Sequence, residues 1–420
     1  MASRWASLLL LLVWTAGCGS QSVISDPKNV QMLHGNETTE ITFWHTYNDK
    51  ETWLLDQELI PAFERENPAI RVRSINLANN NELKNNLIVR ASSNRGPDVV
   101  RMDISWVPEF SCKGLLEPLN GFSGFENIQN TLHRKTMSVG FYQNQYYSLP
   151  LNLYTTALIF NRELLERAGY SEPPGTMEEV LELARKQRYT IGLGGLEAWD
   201  TLPYLYSLGG AFMNGDFSKA SGFLNSKETI RAVEQLASLY RDGQIDISVL
   251  INNVDNWAGV RSGELLMTDE APWFYGLLNP ADLDRALQQS LPVPFPRSNG
   301  LASIIGGENL VIMKGNKKRD EAWAFMKWMT GKDAQLVMSR AGLIPTNREA
   351  VDALTVGRES YLNAYLESMN NTFLRPPVKN WSKIDEVYTM YLRKIFLGEL
   401  TVKDGLDQAA SEIDDLLVHF

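Results

Sequence analysis

The sequence predicts an α/β fold built around a mostly parallel sheet. Short segments in which apolar and polar residues alternate are separated by segments with helical spacing, and the two kinds follow one another along residues 40–103. Strand, helix, strand, helix, strand is the pattern of βαβ units, in which helices connect parallel strands. The length of 420 residues allows two or three domains, or two large lobes.

The first strand is predicted at "EITFWH", where Ile41, Phe43 and His45 alternate with more polar positions, the period of a strand with one buried face. A helix follows over "TWLLDQELIPAFEREN" and ends at Asn67-Pro68. A strand at "AIRVRSINL", a helix at "ELKNNLIVRASSNRG" and a third strand at "PDVVRMD" complete the unit.

Polar and aromatic side chains follow the first and third strands. In open α/β sheets, ligands bind outside the carboxyl ends of the strands. We therefore expect these side chains to face a ligand. The candidates are Tyr47, Asn48 and Asp49 after the first strand, and Asp103, Ser105 and Trp106 after the third.

The remaining chain continues the alternation. "TTALIFN" predicts a strand and "RELLERAG" a helix that ends at Gly169, while Thr176 is the predicted N-cap of the helix in "TMEEVLELARK". A helix is predicted over 229–241, strands at "GELLMTDEAPWF" and "IIGGENLVIM", and another helix at "KRDEAWAFMKWMTG". Residues 383–418 are predicted to be helical with a break at Gly398.

Composition excludes several classes of function. The formal net charge is −10 and the pI about 5.1, which gives no reason to expect nucleic acid as a partner, because nucleic acid needs a basic face. Two cysteines and four histidines that do not cluster give no support for a zinc or haem site, and we expect neither metal nor cofactor. Eleven tryptophans, roughly twice the usual abundance, indicate aromatic surfaces with a function.

Residues 1–17 predict a secretory signal peptide. Arg4 precedes an apolar run that is too short to span a bilayer, and small residues lead to Cys18. The segment resembles a bacterial lipoprotein signal, although Thr15 stands where leucine is usual. This implies lipidation at Cys18, a tether over 18–39, and a protein anchored by lipid at the outer face of the plasma membrane or in the periplasm. The alternative is a plain secretory signal.

Six stretches carry a family resemblance in their order along the chain: "ITFWHTYND"; "GPDVVRMDISWVPEFSCKGLLEPLN"; "YSLPLNLYTTALIFNRELLERAG" with "PPGTMEEV"; "GELLMTDEAPWF"; "GGENLVIMKGNKKRDEAWAFMKWMTG" with "AGLIPTNREAV"; and "GELTVKDGLDQAASEIDDLL". They resemble family 1 of the extracellular solute-binding proteins, the sugar-capturing components of ABC importers, which include the maltodextrin-binding proteins. The resemblance covers roughly residues 39–418.

The resemblance implies a two-lobe, periplasmic-binding-protein-like fold with the ligand between lobes that close over it. The lobes are discontinuous and joined by hinge strands. The implied lobe 1 comprises 40–150 and 305–342, and lobe 2 comprises 151–304 and 343–420. The implied crossings lie near Pro150–Tyr154, Pro294–Gly306 and Gly342–Thr346.

The implied function is to capture a carbohydrate, most often an oligosaccharide, and to deliver it to an ABC permease and its ATPase. We expect a monomer without enzymatic activity. Pyranose rings stack on aromatic planes, and their hydroxyls bond to acids, amides and arginines. Further predicted ligand contacts are Asn152, Tyr154, Trp199, Asp200, Trp273, Tyr275, Glu308, Asn309 and Trp381.

Within "DEAPWFYG", Trp273 corresponds to the family's Pro-Trp stacking position, although Ala271 stands where many relatives have glycine. We expect Trp273 to face the ligand first and Tyr275 second, with Phe274 pointing inward. Glu308 and Asn309 follow two glycines, which permit close backbone approach.

Two other classes of function stay open. A polyamine binder would also use acids with aromatics. A secreted glycosidase would need two carboxylates about 5–10 Å apart, and Asp103, Glu308 and Asp269–Glu270 are candidates. The sequence contains no nucleophile elbow, no HExxH and no glycine-rich phosphate loop.

Overall fold

The computed structural model describes residues 38–246, 249–250, 255–297, 300–354 and 360–418. The predicted signal peptide, the lipidation site Cys18 and nearly all of the tether lie outside these residues. Within the described ranges, no helix combines the length and the apolar character needed to cross a bilayer.

The strands belong to two sheets and a short hairpin. They are β1 (Thr39–His45), β2 (Ile70–Asn76), β3 (Val99–Asp103), β4 (Phe141–Tyr142), β5 (Gln145–Tyr146), β6 (Leu149–Thr155), β7 (Ala157–Asn161), β8 (Thr190–Gly192), β9 (Leu265–Glu270), β10 (Ser290–Val293), β11 (Ser303–Ile312), β12 (Ile344–Pro345) and β13 (Thr372–Leu374). The larger sheet has the order β12-β6-β11-β3-β1-β2, with β13 beside β11, and the smaller sheet has the order β10-β7-β9-β8.

Helices separate and cover the strands. They are α1 (Asp49–Leu54), α2 (Ile60–Glu66), α3 (Asn81–Ser92), α4 (Val107–Cys112), α5 (Phe125–Thr131), α6 (Arg134–Met137), α7 (Arg162–Arg167), α8 (Met177–Gln187), α9 (Ala198–Ser207), α10 (Lys227–Arg241), α11 (Asn256–Ser262), α12 (Trp273–Gly276), α13 (Pro280–Gln289), α14 (Arg319–Met329), α15 (Lys332–Ser339), α16 (Arg348–Ala353), α17 (Leu362–Met369), α18 (Trp381–Phe396) and α19 (Val402–Val418).

The α/β prediction is confirmed. In the larger sheet β1 pairs in parallel with β2 and β3, as the βαβ pattern requires, whereas β11 runs antiparallel to β3 and β6. Thr176 caps α8, and the C-terminal helices α18 and α19 flank Gly398 as predicted.

The helix predicted after the first strand is divided. A π-helical turn at Leu55–Leu59 separates α1 from α2, and Pro61 lies in the first turn of α2. Proline has no N–H to donate, and its ring crowds the carbonyl group four residues earlier. The wider turn accommodates this ring, a local effect that apolar spacing alone does not reveal.

The chain passes from the larger sheet to the smaller one at Thr156, between β6 and β7, and returns between β10 and β11. The two connecting strands are held together where they meet: Thr155 Oγ1 donates to the carbonyl oxygen of Ile304 at 2.7 Å, and Ser303 Oγ donates to that of Thr156 at 2.8 Å. At the third expected crossing, β12 still pairs with β6 in the larger sheet. The lobe boundaries stay a prediction.

Apolar side chains pack against both sheets, and one cluster joins Leu153 and Ile305 of the larger sheet to Ile159 of the smaller one. Against the larger sheet, Phe43 and Phe63 both pack edge-on against Phe325 of α14, with ring centroids 5.1 Å apart in each pair. Against the smaller sheet, Phe212 packs on Tyr388 of α18 at 5.2 Å. The C-terminal helices therefore complete the core of the smaller sheet, although they follow β12 and β13 of the larger one.

Candidate functional site

Two adjoining cavities lie where elements of the two sheets face each other. The aromatic cavity, about 400 Å³, is lined by Asp103, Tyr154, Gly194, Glu197, Trp199, Asp200, Trp273 and Arg375. The α18 cavity, about 660 Å³, is lined by Asn79, Asn80, Asn81, Asp103, Ser105, Trp106, Glu197, Arg375, Trp381, Ser382, Asp385, Glu386, Thr389, Met390 and Arg393. Asp103, Glu197 and Arg375 line both cavities, so the two form one cleft.

Three aromatic rings form a wall of the aromatic cavity. Tyr154 comes from β6 in the larger sheet, and its ring meets Trp199 of α9 at 5.6 Å and Trp273 of α12 at 5.0 Å, edge-on in both cases. Gly306 makes room for this arrangement, because a Cβ atom there would lie 2.2 Å from the Tyr154 ring. Gly306 thus permits a close approach to the backbone, as expected, and the group that approaches is the Tyr154 side chain of the neighbouring strand.

In the turn after β9, the Trp273 side chain has a different environment from those of Phe274 and Tyr275. Trp273 begins the short helix α12, in which each residue is rotated by about 100° from the one before. Phe274 and Tyr275 are accordingly fully buried, and the Tyr275 hydroxyl shares a hydrogen bond of 2.8 Å with Ser290 Oγ. Tyr275, predicted as a ligand contact, lies in the core, whereas Trp273 lines the cavity.

A partly buried ion pair lies between the two cavities. Asp103 ends β3, and its carboxylate accepts hydrogen bonds from Arg375 Nη2 at 3.1 and 3.4 Å. The backbone N–H and the hydroxyl of Ser105 donate to the same carboxylate at 2.7 and 2.5 Å. Burial acts to lower the pKa of Arg375, but Asp103, Tyr154 and Asp385 together outweigh it, so the pKa is raised.

Carboxyl groups accumulate around α9 on the smaller-sheet side of the cleft. Burial raises the pKa of Asp200 well above its usual value, and the charges of Asp269 and Glu197 raise it further. Burial also raises the pKa of Asp269 to about 7 and that of Asp385 to about 6. Asp269 and Asp385 therefore exchange protons near neutral pH, so each can donate a hydrogen bond as well as accept one.

Behind the aromatic wall, a buried ion pair holds Tyr154. Arg101 Nη2 lies 2.7 Å from Glu308 Oε2, which also accepts a hydrogen bond of 2.6 Å from Asn152. The Tyr154 hydroxyl donates to Glu308 Oε1 at 3.3 Å. Burial raises the pKa of Glu308 to about 7 although Arg101 acts in the opposite direction. Glu308 and Asn152 line neither cavity; they support a residue that does.

Four other predicted residues also lie outside the cleft. The ring of Tyr47 packs under the guanidinium of Arg101 at 4.2 Å. Asn48 caps α1 by accepting from the Glu51 N–H at 2.9 Å, and Asp49 is exposed at the start of that helix. Asn309 donates to Ser148 Oγ at 2.7 Å. The predicted residues that line the cleft are Asp103, Ser105, Trp106, Tyr154, Trp199, Asp200, Trp273 and Trp381.

Trp381 contributes little of its surface to the cleft, since it is 3% exposed and its ring packs on Phe212 at 5.7 Å. Sequence reasoning missed Glu197 and Arg375, which line both cavities. Arg375 directly follows β13, so the strand-end rule would have found it had the three-residue strand been recognised. Glu197 stands two positions before the predicted Trp199.

No group of three or more His, Cys, Asp or Glu side chains in the described ranges is arranged to hold a metal ion.

Comparison with known proteins gives concordant results. The family model of the bacterial extracellular solute-binding proteins matches residues 54–336. A putative binding protein of Brucella abortus is 22% identical over 383 residues, covering 86% of this chain and 89% of the relative. The maltotriose-binding protein of Pyrococcus abyssi is 23% identical over 310 residues, covering 70% of this chain and 64% of the relative.

Among solved structures, the GacH receptor of Streptomyces glaucescens, whose structures include a complex with acarbose, superposes with a TM-score of 0.78. It is 24% identical, and the match covers 91% of this chain and 99% of that one. This similarity confirms the two-lobe α/β fold.

Proposed function

The chain belongs to the family of bacterial extracellular solute-binding proteins, and we propose that it captures a carbohydrate in the cleft and delivers it to an ABC permease and its ATPase. The observation that carries the proposal is the aromatic cavity, in which Tyr154, Trp199 and Trp273 stand beside polar side chains. Proteins of this family bind solutes, and we propose that this chain likewise acts without chemical turnover.

The chemistry of the cleft supports a sugar ligand. Aromatic rings offer flat apolar surface for the C–H faces of pyranose rings. The Asp103–Arg375 pair and the Asp200 carboxyl group offer charge-assisted partners for hydroxyls. The maltotriose-binding protein and the GacH receptor with acarbose are relatives whose ligands are of the same class.

The size of the cleft supports an oligosaccharide. Ligand pockets that bury a drug-sized molecule measure about 300–1,000 Å³. The aromatic cavity, about 400 Å³, adjoins the α18 cavity of about 660 Å³. We propose that the sugar chain begins on the aromatic wall and continues along α18, where the lining is mostly polar.

We propose that the lobes close over the ligand. A ligand that contacts both sides favours the closed form, because only there are both sets of contacts made. Two hydrogen bonds join the sides near the cleft: Lys84 Nζ of α3 donates to Ser382 Oγ of α18 at 2.6 Å, and Lys50 Nζ of α1 donates to the carbonyl oxygen of Gly276 at 2.8 Å.

We further propose that the protein works outside the cytoplasm and is anchored by a lipid on Cys18. Mass spectrometry of the N-terminal peptide from membranes tests the anchor. An acylated cysteine at the new N-terminus is expected, and a Cys18→Ala variant should be released into the soluble fraction. An N-terminus without acyl groups would contradict the anchor and leave the capture function unaffected.

A thermal-shift screen of the mature domain with glucose, maltose, maltotriose and maltoheptaose tests the sugar proposal. A ligand that binds only the folded state raises the melting temperature, so we expect a saturable shift that is larger for the oligosaccharides. Chromatography of the incubated sugars checks turnover, and shorter products would indicate a glycosidase.

The carboxyl groups around Asp200 favour an amine-bearing solute as a second candidate, because the charges that act on Asp200 are those of other carboxyl groups. Spermidine therefore belongs in the same screen. Stabilisation by spermidine with no response to any sugar would replace the carbohydrate with a polyamine.

A further inference from the structure

A third cavity lies apart from the cleft and shares no lining residue with it. It measures about 470 Å³ and is lined by Gln129, Asn130, Arg134, Met137, Ser138, Tyr146 and Arg348. We call it the arginine cavity. Of the described residues that line it, none carries a carboxylate, and all except Met137 carry hydrogen-bond donors on their side chains.

The two arginines stand out in a chain whose formal net charge is −10. Several exposed arginines pair with carboxylates, as Arg319 does with Glu117 at 3.3 Å. What distinguishes Arg134 and Arg348 is that both line the same cavity. Arg134 and Arg348 are also exposed, but within the described residues neither guanidinium has an ion pair or a hydrogen bond. Two cations that face one hollow without a counter-charge create a positive potential there.

Buried contacts hold the backbone that carries both arginines. Leu132 and Asn347 form an antiparallel bridge, and the His133 N–H donates to the carbonyl oxygen of Thr346 at 3.0 Å. Gln335 fixes the other side, since its Oε1 accepts the N–H groups of Thr346 and Asn347 at 2.8 Å each. The segments on which the arginines stand are therefore fixed relative to each other.

Helix stability does not explain these arginines. Each is the first residue of its helix, Arg134 in α6 and Arg348 in α16. Carboxylates, not cations, are favourable at that position of a helix. The helices α6 and α16 therefore do not explain the charges of Arg134 and Arg348.

We propose that the arginine cavity binds a phosphate group, either free or as the headgroup of a phospholipid. Guanidinium groups bind phosphate oxygens through paired, charge-assisted hydrogen bonds. The amides of Gln129 and Asn130 and the Ser138 and Tyr146 hydroxyls supply further donors around the same hollow. The proposal concerns a site separate from the carbohydrate cleft and does not depend on it.

Isothermal titration calorimetry with inorganic phosphate at constant ionic strength tests the site on the mature domain. The second arm measures co-sedimentation with phosphatidylcholine vesicles with and without phosphatidylglycerol. The test variant is Arg134→Gln with Arg348→Gln. The control is Arg65→Gln with Arg241→Gln, which removes the same charge from two other exposed arginines.

We expect saturable binding of phosphate, of the anionic vesicles, or of both. The test variant should bind at least roughly tenfold more weakly, while the control binds like the wild type. Binding in the first arm alone identifies a free phosphate, and binding in the vesicle arm identifies a headgroup. Absence of binding in both arms, or equal weakening in the control, overturns the proposal. Sugar-induced thermal shifts should stay unchanged in every variant.

Discussion

The two sides of the cleft contain acids with similar proton affinity but different surroundings. On the larger-sheet side, Glu308 lies 2.7 Å from a guanidinium nitrogen of Arg101, and burial raises its pKa to about 7. On the smaller-sheet side, burial raises the pKa of Asp269 to the same value, but its hydrogen-bond donor is the neutral hydroxyl of Tyr204 at 2.8 Å.

The difference teaches that a raised pKa alone does not tell what a buried acid does. Glu308 compensates a cation that is itself buried, so removing Glu308 leaves a charge without a partner. Among the described residues Asp269 has no ion pair, so removing its charge lowers the free-energy cost of burying it. The two sides should therefore respond in opposite directions when their acids are neutralised.

The largest expected effect comes from Glu308→Ala. Arg101 is 4% exposed, and breaking a buried pair by removing one partner costs about 3–5 kcal/mol, because the other charge stays uncompensated. Urea unfolding of the mature domain measures the loss. Glu58→Ala, which removes the partner of the exposed Arg340, is the control, with an expected loss below about 1 kcal/mol. Equal losses in both variants would contradict the interpretation that Glu308 compensates the buried charge of Arg101.

Asp269→Asn should stabilise the protein in a pH-dependent manner. The pKa of Asp269 is about 7 in the folded protein against an ordinary value of 3.8. Between these values the folded state holds a proton that the unfolded state has lost, so wild-type stability falls as the pH rises through this window. Asparagine carries no charge and still accepts from Tyr204.

We expect the Asp269→Asn variant to match the wild type near pH 4 and to exceed it at pH 8 by an amount on the order of a few kcal/mol. Urea unfolding at both pH values, with Asp284→Asn at an exposed position as the control, measures the difference. A gap that does not change with pH would show that the charge of Asp269 is not its cause.

The contrast between the sides also marks where sequence reasoning succeeds. Alternating and helical periods predicted β1, β2 and β3 with the helices between them, because those segments bury one face. Strand ends led to Asp103, Ser105 and Trp106, which line the cleft, whereas Tyr154 was selected through the family resemblance. The same rule also selected Asn48, which caps a helix, since a polar residue after a strand serves either purpose.

The remaining errors have geometric causes. The sequence predicted Trp273 and Tyr275 on one side of their segment, as in an extended chain. In the helical turn α12 they are about 200° apart, and Tyr275 is buried. Arg101 and Glu308 pair across neighbouring antiparallel strands from distant parts of the chain, and no periodicity in one strand reveals that pairing.

Trp273→Ala tests the aromatic wall of the cleft, to which Tyr154 of the larger sheet and the two tryptophans of the smaller-sheet side contribute. Trp273 lines the cavity and meets the Tyr154 ring at 5.0 Å. Loss of a stacking ring costs about 1–1.5 kcal/mol, which corresponds to about tenfold weaker binding. Calorimetry with the oligosaccharide that responds in the thermal screen measures it. Trp53→Ala, at a tryptophan that is 58% exposed, should leave affinity unchanged. Equal affinity in the Trp273 variant would exclude a stacking role.

Tyr154→Phe, the substitution with the smallest expected effect, tests how much the buried Arg101–Glu308 pair depends on the Tyr154 hydroxyl. The change removes only the hydroxyl, which donates to Glu308 at 3.3 Å, a long hydrogen bond. Glu308 keeps Arg101 and Asn152, so no charge is left without a partner. We expect a loss of about 0.5–1 kcal/mol in urea unfolding, because the ring still packs against Gly306 and both tryptophans. A loss as large as that of Glu308→Ala would mean that the hydroxyl, and not the guanidinium, is the partner that keeps Glu308 buried, and the contrast between the two sides of the cleft would then fail.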